Sequence, residues 1–208
     1  MKLAIFGATG VTGRELIRQA LEAGHEVTAL VRTPSKVDQN GENLHLIQGD
    51  VLDVAAVERT VRGQEAVLCV LGAGRQGTVR SEGTRNIIRA MEKTDVRRFI
   101  CQSSLGVGDS QGNLNFFWKY LMFGLLLRKA YADHVRQEEF VMQSSLDWTI
   151  VRPAAFSKGP RTGNYRHGFT ADAKGLTLKI SPADIADFLL KQLTDDDTYL
   201  RKSPGISY

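Results

Sequence analysis

Apolar and polar positions along the chain switch between two periods. Short runs built around apolar residues stand at about 2–6, 26–31, 44–48, 66–71, 97–102 and 148–152. Strands of a parallel sheet covered on both faces have this composition, because neither face meets water. Between them lie longer stretches, at about 12–23, 53–62, 78–93 and 128–145, whose apolar residues recur every three or four positions. That spacing predicts amphipathic helices with one buried stripe. A last helix is expected from Ser181-Pro182-Ala183-Asp184, where serine supplies a cap and proline fits the first turn. Strands alternating with helices give right-handed βαβ units and a doubly wound parallel sheet, an α/β architecture of the Rossmann kind. The chain of 208 residues suits a single domain. No repeat, low-complexity tract or linker interrupts it. After about Pro160 the pattern becomes short and mixed, so residues 154–180 are expected to form a small substrate lobe on the same domain.

The first strand runs into Gly7-Ala-Thr9-Gly10-Val11-Thr12-Gly13 and then into a helix. Each glycine answers a need of dinucleotide binding: Gly7 for a tight turn, Gly10 for approach of a pyrophosphate, Gly13 for close packing of helix on strand. The helix start adds free N–H groups and partial positive charge for phosphates. The spacing is GxxGxxG rather than GxGxxG, and the strand before it and helix after it separate it from a plain turn.

In NAD-binding folds an acidic residue at the tip of the second strand holds the ribose 2′-hydroxyl. Here the tip reads Val31-Arg32-Thr33-Pro34-Ser35-Lys36, with no carboxylate. Arg32, Thr33, Ser35 and Lys36 suit a 2′-phosphate, which points to NADP(H); the other reading is a solvated basic loop. Asp50 and Val51, after the third strand, are placed beside the adenine. Leu71, Gly72 and Ala73, after the fourth, are expected near the ribose and nicotinamide.

Composition narrows the classes. The net charge of +4 is mild and its lysines and arginines are dispersed, so no nucleic-acid partner is inferred. Cys69 and Cys101 both lie in apolar runs and read as reduced, buried thiols of a cytoplasmic protein. The opening residues already form a strand, so no signal peptide is expected. The segment 116–127, rich in aromatic and aliphatic residues, is too short to span a bilayer and carries Lys119. It reads as a core helix or packed insertion, as a wall or lid over a flat acceptor with Trp118 and Phe123 in contact, or as a protein contact. The histidines share no metal-ligand spacing with one another or with the cysteines, so no metal is expected.

Taken together, Gly7-x-x-Gly10-x-x-Gly13, Val31-Arg32, Gly49-Asp50-Val51, Ser81-Glu-Gly-x-x-Asn86, Ser103-Ser104 and Trp148-Thr-Ile-Val-Arg-Pro153 resemble the atypical short-chain dehydrogenase/reductase group with NmrA-like members, and within it the flavin reductase or biliverdin-IXβ reductase type. The similarity runs to the helix start at Ile180-Ser181. It implies a serine near the nicotinamide at the end of the fifth strand, matched by Ser104 with Ser103 beside it. It also implies backbone and apolar surface around the nicotinamide from Pro153, Ala154, Ala155 and Phe156. His134 resembles a histidine of the matching helix, and His167 in the late lobe is a second candidate for substrate contact. Two departures stand out. The Tyr-x-x-x-Lys pair of ordinary members is missing: Tyr120 is followed four places on by Gly124, and Tyr131 by Val135. The histidine expected after the proline of the sixth strand is replaced by Ala154.

These readings lead to a monomeric NADPH-dependent reductase passing a hydride to a flat aromatic acceptor such as a flavin, bilin or quinone, with Ser104 donating a hydrogen bond. Such acceptors delocalise charge and need little help from a protein acid. The alternative is an NADP-sensing regulatory or partner-binding protein without turnover.

Overall fold

The computed structural model describes residues 1–72, 77–114, 121, 125–194 and 197–208. In chain order its elements are β1 (Lys2–Phe6), α1 (Val11–Glu22), β2 (Glu26–Val31), β3 (Leu44–Gln48), α2 (Val54–Val61), β4 (Ala66–Cys69), α3 (Val79–Thr94), β5 (Arg98–Gln102), α4 (Arg128–Gln143), β6 (Asp147–Pro153), β7 (Ala155–Phe156), β8 (Arg166–His167), β9 (Lys179–Ile180), α5 (Pro182–Lys191) and β10 (Gly205–Ser207). The six apolar runs become β1 to β6, the four periodic stretches become α1 to α4 and the capped start at Ser181 opens α5, with ends shifted by at most two residues. β4 ends at Cys69 rather than 71, because Leu71 and Gly72 leave the ladder to form the floor of a cleft.

Among the described residues the main sheet runs in the order β3-β2-β1-β4-β5-β6-β10-β8, and β7 pairs with β9 in a separate two-stranded ladder. All neighbours in the main sheet are parallel except β10 and β8. The order reverses between β1 and β4, and a cleft opens beyond the carboxyl ends of the strands at that point. β10 answers no expectation: three residues carry no periodicity, and what makes them a strand is the free edge of β6. Ile150, Arg152 and Ala154 N–H groups donate to Lys202, Pro204 and Ile206 carbonyls at 3.0, 2.9 and 2.9 Å.

α1 and α5 cover one face, over a core that includes Leu3, Ile5, Leu16, Ile17, Ile100, Val151, Ile185 and Leu189. α2, α3 and α4 cover the other, over Phe6, Val57, Val67, Ile87, Met91, Phe99 and Ile150. Side-chain caps set two helix starts. Asp53 accepts from the Ala55 and Ala56 N–H groups at 2.9 and 3.3 Å. Ser181 accepts from Asp184 N–H at 3.1 Å, with Pro182 at the first helical position. α1, in contrast, begins at Gly10 with no side-chain cap.

Two ion pairs are buried on the α3/α4 side. Arg80 meets Asp133 at 3.0 Å. Arg152 sits 2 % exposed, donating from Nε and Nη2 to the two carboxylate oxygens of Glu138 at 3.0 and 2.7 Å, and from Nη1 to Asp109. Among the described residues, no helix is long and apolar enough to cross a membrane.

Candidate functional site

The cleft has two halves that share Gly10, Leu71 and Gly72. The outer half, about 230 Å³, runs from the glycine turn past the tips of β2 and β3. The inner half, about 270 Å³, lies over the ends of β4, β5 and β6.

The turn is built around its glycines. Gly7 has φ +90°, a conformation that favours glycine, and a side chain there would strike the Val70 carbonyl. A side chain at Gly13 would collide with the Gly7 carbonyl and come within 2.8 Å of Ala8. Gly13 therefore packs against the turn itself, while the exposed Gly10 leaves the backbone open to a ligand. Thr12 faces the inner half, and its Oγ1 is buried without a hydrogen-bond partner. An uncapped helix start beside an orphaned buried hydroxyl is the arrangement a phosphate would satisfy.

Gly7, Thr9, Gly10, Arg32, Asp50, Val51, Leu71 and Gly72 line the outer half. Arg32 is exposed at its rim. Thr33, Ser35 and Lys36 follow it as exposed residues but do not line the groove, and a 3₁₀ turn at Pro34–Lys36 carries Lys36 around the tip of β2. Asp50 Oδ1 accepts from Leu52 N–H at 2.9 Å, so the carboxylate shapes its own turn. Asn86, on α3, donates from Nδ2 to the Val51 carbonyl at 3.1 Å and pins that loop.

The inner half takes Val11 and Thr12 from α1, Ser103 and Ser104 from the end of β5, His134 from α4, and Pro153, Ala154, Ala155 and Phe156 from β6 and β7. Ser103 is 3 % exposed, with Oγ 3.3 Å from His134 Nδ1. Ser104 is half-buried and donates to the Leu105 carbonyl at 3.2 Å, a local bond that a ligand can replace. Burial, reinforced by the Arg80 cation, pushes His134 down to about 3, so its imidazole is neutral at neutral pH. Trp118 and Phe123, together with Ala73, lie outside the described residues. His167 is not brought to the cleft. It is exposed on β8, with Nδ1 2.7 Å from the Tyr199 hydroxyl and its ring against Phe188. The separation follows from the antiparallel pairing of β8 with β10, which carries His167 to the sheet edge.

Arg80 is the residue that sequence reasoning missed. It lines the inner half, 6 % exposed, and donates from Nε to the Leu71 carbonyl at 3.2 Å and from Nη1 to Asp133. Asp133 also accepts from Ser81 N–H at 3.0 Å. Arg80 thereby ties the floor of the cleft and the start of α3 to α4. A cation in the first turn of a helix opposes the helix dipole; that mismatch was the one signal of a special role, and its partner lies 53 positions away. Leu114 and Leu178 complete the apolar walls.

The comparisons agree with this geometry. An uncharacterised Bacillus subtilis protein, YwnB, is 30% identical over 93% of this chain and 92% of its own length. A short-chain dehydrogenase/reductase from Veillonella parvula, solved in complex with NADP, superposes with a TM-score of 0.82 at 19% identity, covering all of this chain and 94% of that one. ChuY, an anaerobillin reductase from Escherichia coli O157:H7, superposes with a TM-score of 0.81 at 22% identity, covering all of this chain and 97% of that one. A family model described as NAD(P)H-binding matches residues 7–196, and the glycine turn at the reversal of strand order, the uncapped helix and the cleft agree with it: the chain belongs to the NAD(P)H-binding family.

Proposed function

We propose that the chain is an NADPH-dependent reductase that passes a hydride to a flat conjugated acceptor, a flavin, a bilin or a quinone. The observation that supports this reading is the inner half of the cleft. Its walls are largely apolar, it opens directly on the groove of the glycine turn, and among the described residues its lining holds no carboxylate and no tyrosine. Such a site suits an acceptor that spreads incoming charge over its own rings, so that positioning of two stacked rings does most of the work.

In this reading the first turn of α1 and the Thr12 hydroxyl hold the pyrophosphate, and Arg32, with Thr33, Ser35 and Lys36 around it, holds the 2′-phosphate. Asp50 and Val51 bound the adenine end. Leu71 and Gly72 pass under the ribose and nicotinamide, and Pro153 to Phe156 form the wall behind it, as part of the substrate lobe at about 154–180. Bound NADPH supplies the hydride. Ser104 turns its hydroxyl from the Leu105 carbonyl to the acceptor. His134, neutral at its position, orients the Ser103 hydroxyl and serves as a hydrogen-bond partner rather than a cationic acid.

The test is direct. Protein is mixed with NADPH and FMN, then with a quinone and a bilin, and loss of the nicotinamide absorbance is followed. Protein-dependent oxidation with at least one acceptor is expected, and Ser104→Ala should lower kcat by about a hundredfold with NADP affinity unchanged. Tight NADP binding without turnover on any of the three classes overturns the reading and moves the chain to the NADP-sensing, partner-binding class.

A further inference from the structure

Beside Thr9, which lines the outer half, lies an ion pair that the reading above does not use. Arg14, in the first turn of α1, donates from Nε to the Thr9 carbonyl at 3.3 Å and from Nη1 to the Asp38 carboxylate. Thr9 and Arg32 line the same groove, so the Arg14 guanidinium is hydrogen-bonded to the backbone of a residue that lines it. Gln39 donates from Nε2 to the Arg14 carbonyl at 3.3 Å, which clamps the 38–39 turn onto the start of α1. The side chains of Arg14 and Asp38 are 41% and 69% exposed, so the pair is solvated and exchangeable. The side chains of Arg32 and Lys36, by contrast, make no ion pair or hydrogen bond among the described residues. Arg14 is thus joined to the segment after β2 that also bears Arg32 and Lys36, and it already carries an anion supplied by the chain.

We propose that Asp38 is a built-in counter-ion that occupies Arg14 until a ribose 2′-phosphate displaces it, and that Arg14 is thereby a third cation of the 2′-phosphate site. The inference rests on the NADPH reading above. Its chemistry is anion exchange. An arginine fork accepts either a carboxylate or a phosphate, and a phosphate near neutral pH carries more charge and more acceptor oxygens than a carboxylate. The Asp38 carboxylate lowers affinity for NADPH by competition. For a cofactor without the 2′-phosphate there is nothing to exchange, so Asp38 leaves its affinity unchanged.

The probes are 2′,5′-ADP and 5′-AMP, titrated calorimetrically into the full chain at low salt. Wild type should bind 2′,5′-ADP more tightly than 5′-AMP. Asp38→Asn should tighten 2′,5′-ADP about three- to fivefold, the span of one exposed ion pair, and leave 5′-AMP unchanged. Arg14→Gln should weaken 2′,5′-ADP about tenfold, and the double variant should show no gain from Asp38→Asn. Glu42→Gln removes the same charge from the same loop and should give no comparable gain, which separates exchange at Arg14 from a change in overall field. An unchanged 2′,5′-ADP affinity in Asp38→Asn, or an equal gain in Glu42→Gln, overturns the proposal while leaving the NADPH reading intact. Failure of wild type to distinguish the two probes overturns both.

Discussion

At the scale of residues the proposed 2′-phosphate site turns on Arg32, exposed at the rim of the outer half. A 2′-phosphate held by an arginine makes charge-assisted bonds worth about 1.5–3 kcal/mol, and a carboxylate in the same place repels it. Arg32→Asp should therefore weaken NADPH binding about ten- to a hundredfold and change NADH binding far less, measured as the two dissociation constants by quenching of protein fluorescence. Equal affinities before and after the change would remove the 2′-phosphate assignment. This residue stands out in the sequence because of what is missing there: an acid at the end of an apolar run. Ser103 and Ser104 were harder to tell apart. Adjacent serines at a strand end look alike in sequence, but the pleat turns one hydroxyl into the protein toward His134 and leaves the other half-buried at the cleft.

At the scale of elements, the wall of the cleft depends on how α4 is fastened to β6. Arg152 precedes Pro153 and is held by Glu138 on α4 and by Asp109 in the loop after β5. The two carboxylates are not equivalent: the Glu138 side chain is 5% exposed and that of Asp109 is 89% exposed. Glu138→Ala leaves a buried guanidinium without its main partner and should cost about 3–5 kcal/mol of stability, whereas Asp109→Ala should cost about 1 kcal/mol or less. Urea unfolding of the two variants checks the contrast; similar losses would mean that Glu138 does not carry the pair. The elements themselves were legible because each of β1 to β6 is built around apolar residues and each helix has a single buried stripe. β7 to β10 were not, since two or three residues hold no period and their pairing is decided by whichever edge is free. The pairs Arg80–Asp133 and Arg152–Glu138 were equally invisible, because α4 must first dock before either charge finds its partner.

For the whole molecule, acid sensitivity follows from His134. In the unfolded chain the imidazole takes its proton near 6.5; in the fold burial holds it back until about 3. Between those values the unfolded chain binds more protons, so stability is full above about pH 6.5 and falls as the pH drops toward 3. Asp109, held below its ordinary 3.8 by the hydrogen bond from Arg152, adds a loss of the same sign once the pH falls below about 3.8. His134→Asn should flatten the fall between pH 6.5 and 4 in thermal unfolding; an unchanged slope would place the acid-sensitive group elsewhere. A last consequence comes from β10. Besides accepting from Arg152 and Ala154 through Pro204 and Ile206, this end of the chain accepts from Thr177 N–H at 2.8 Å and donates to the Lys179 carbonyl at 3.0 Å, both through Tyr208. One short strand thus staples both sides of the inner cleft, the Pro153 wall and the turn bearing Leu178. When it lifts, both sides open together. The amides of Arg152, Ala154 and Thr177 should then exchange with deuterium as one cooperative group, faster than the core of β1 and β4, and should slow in concert when a ligand fills the space between them.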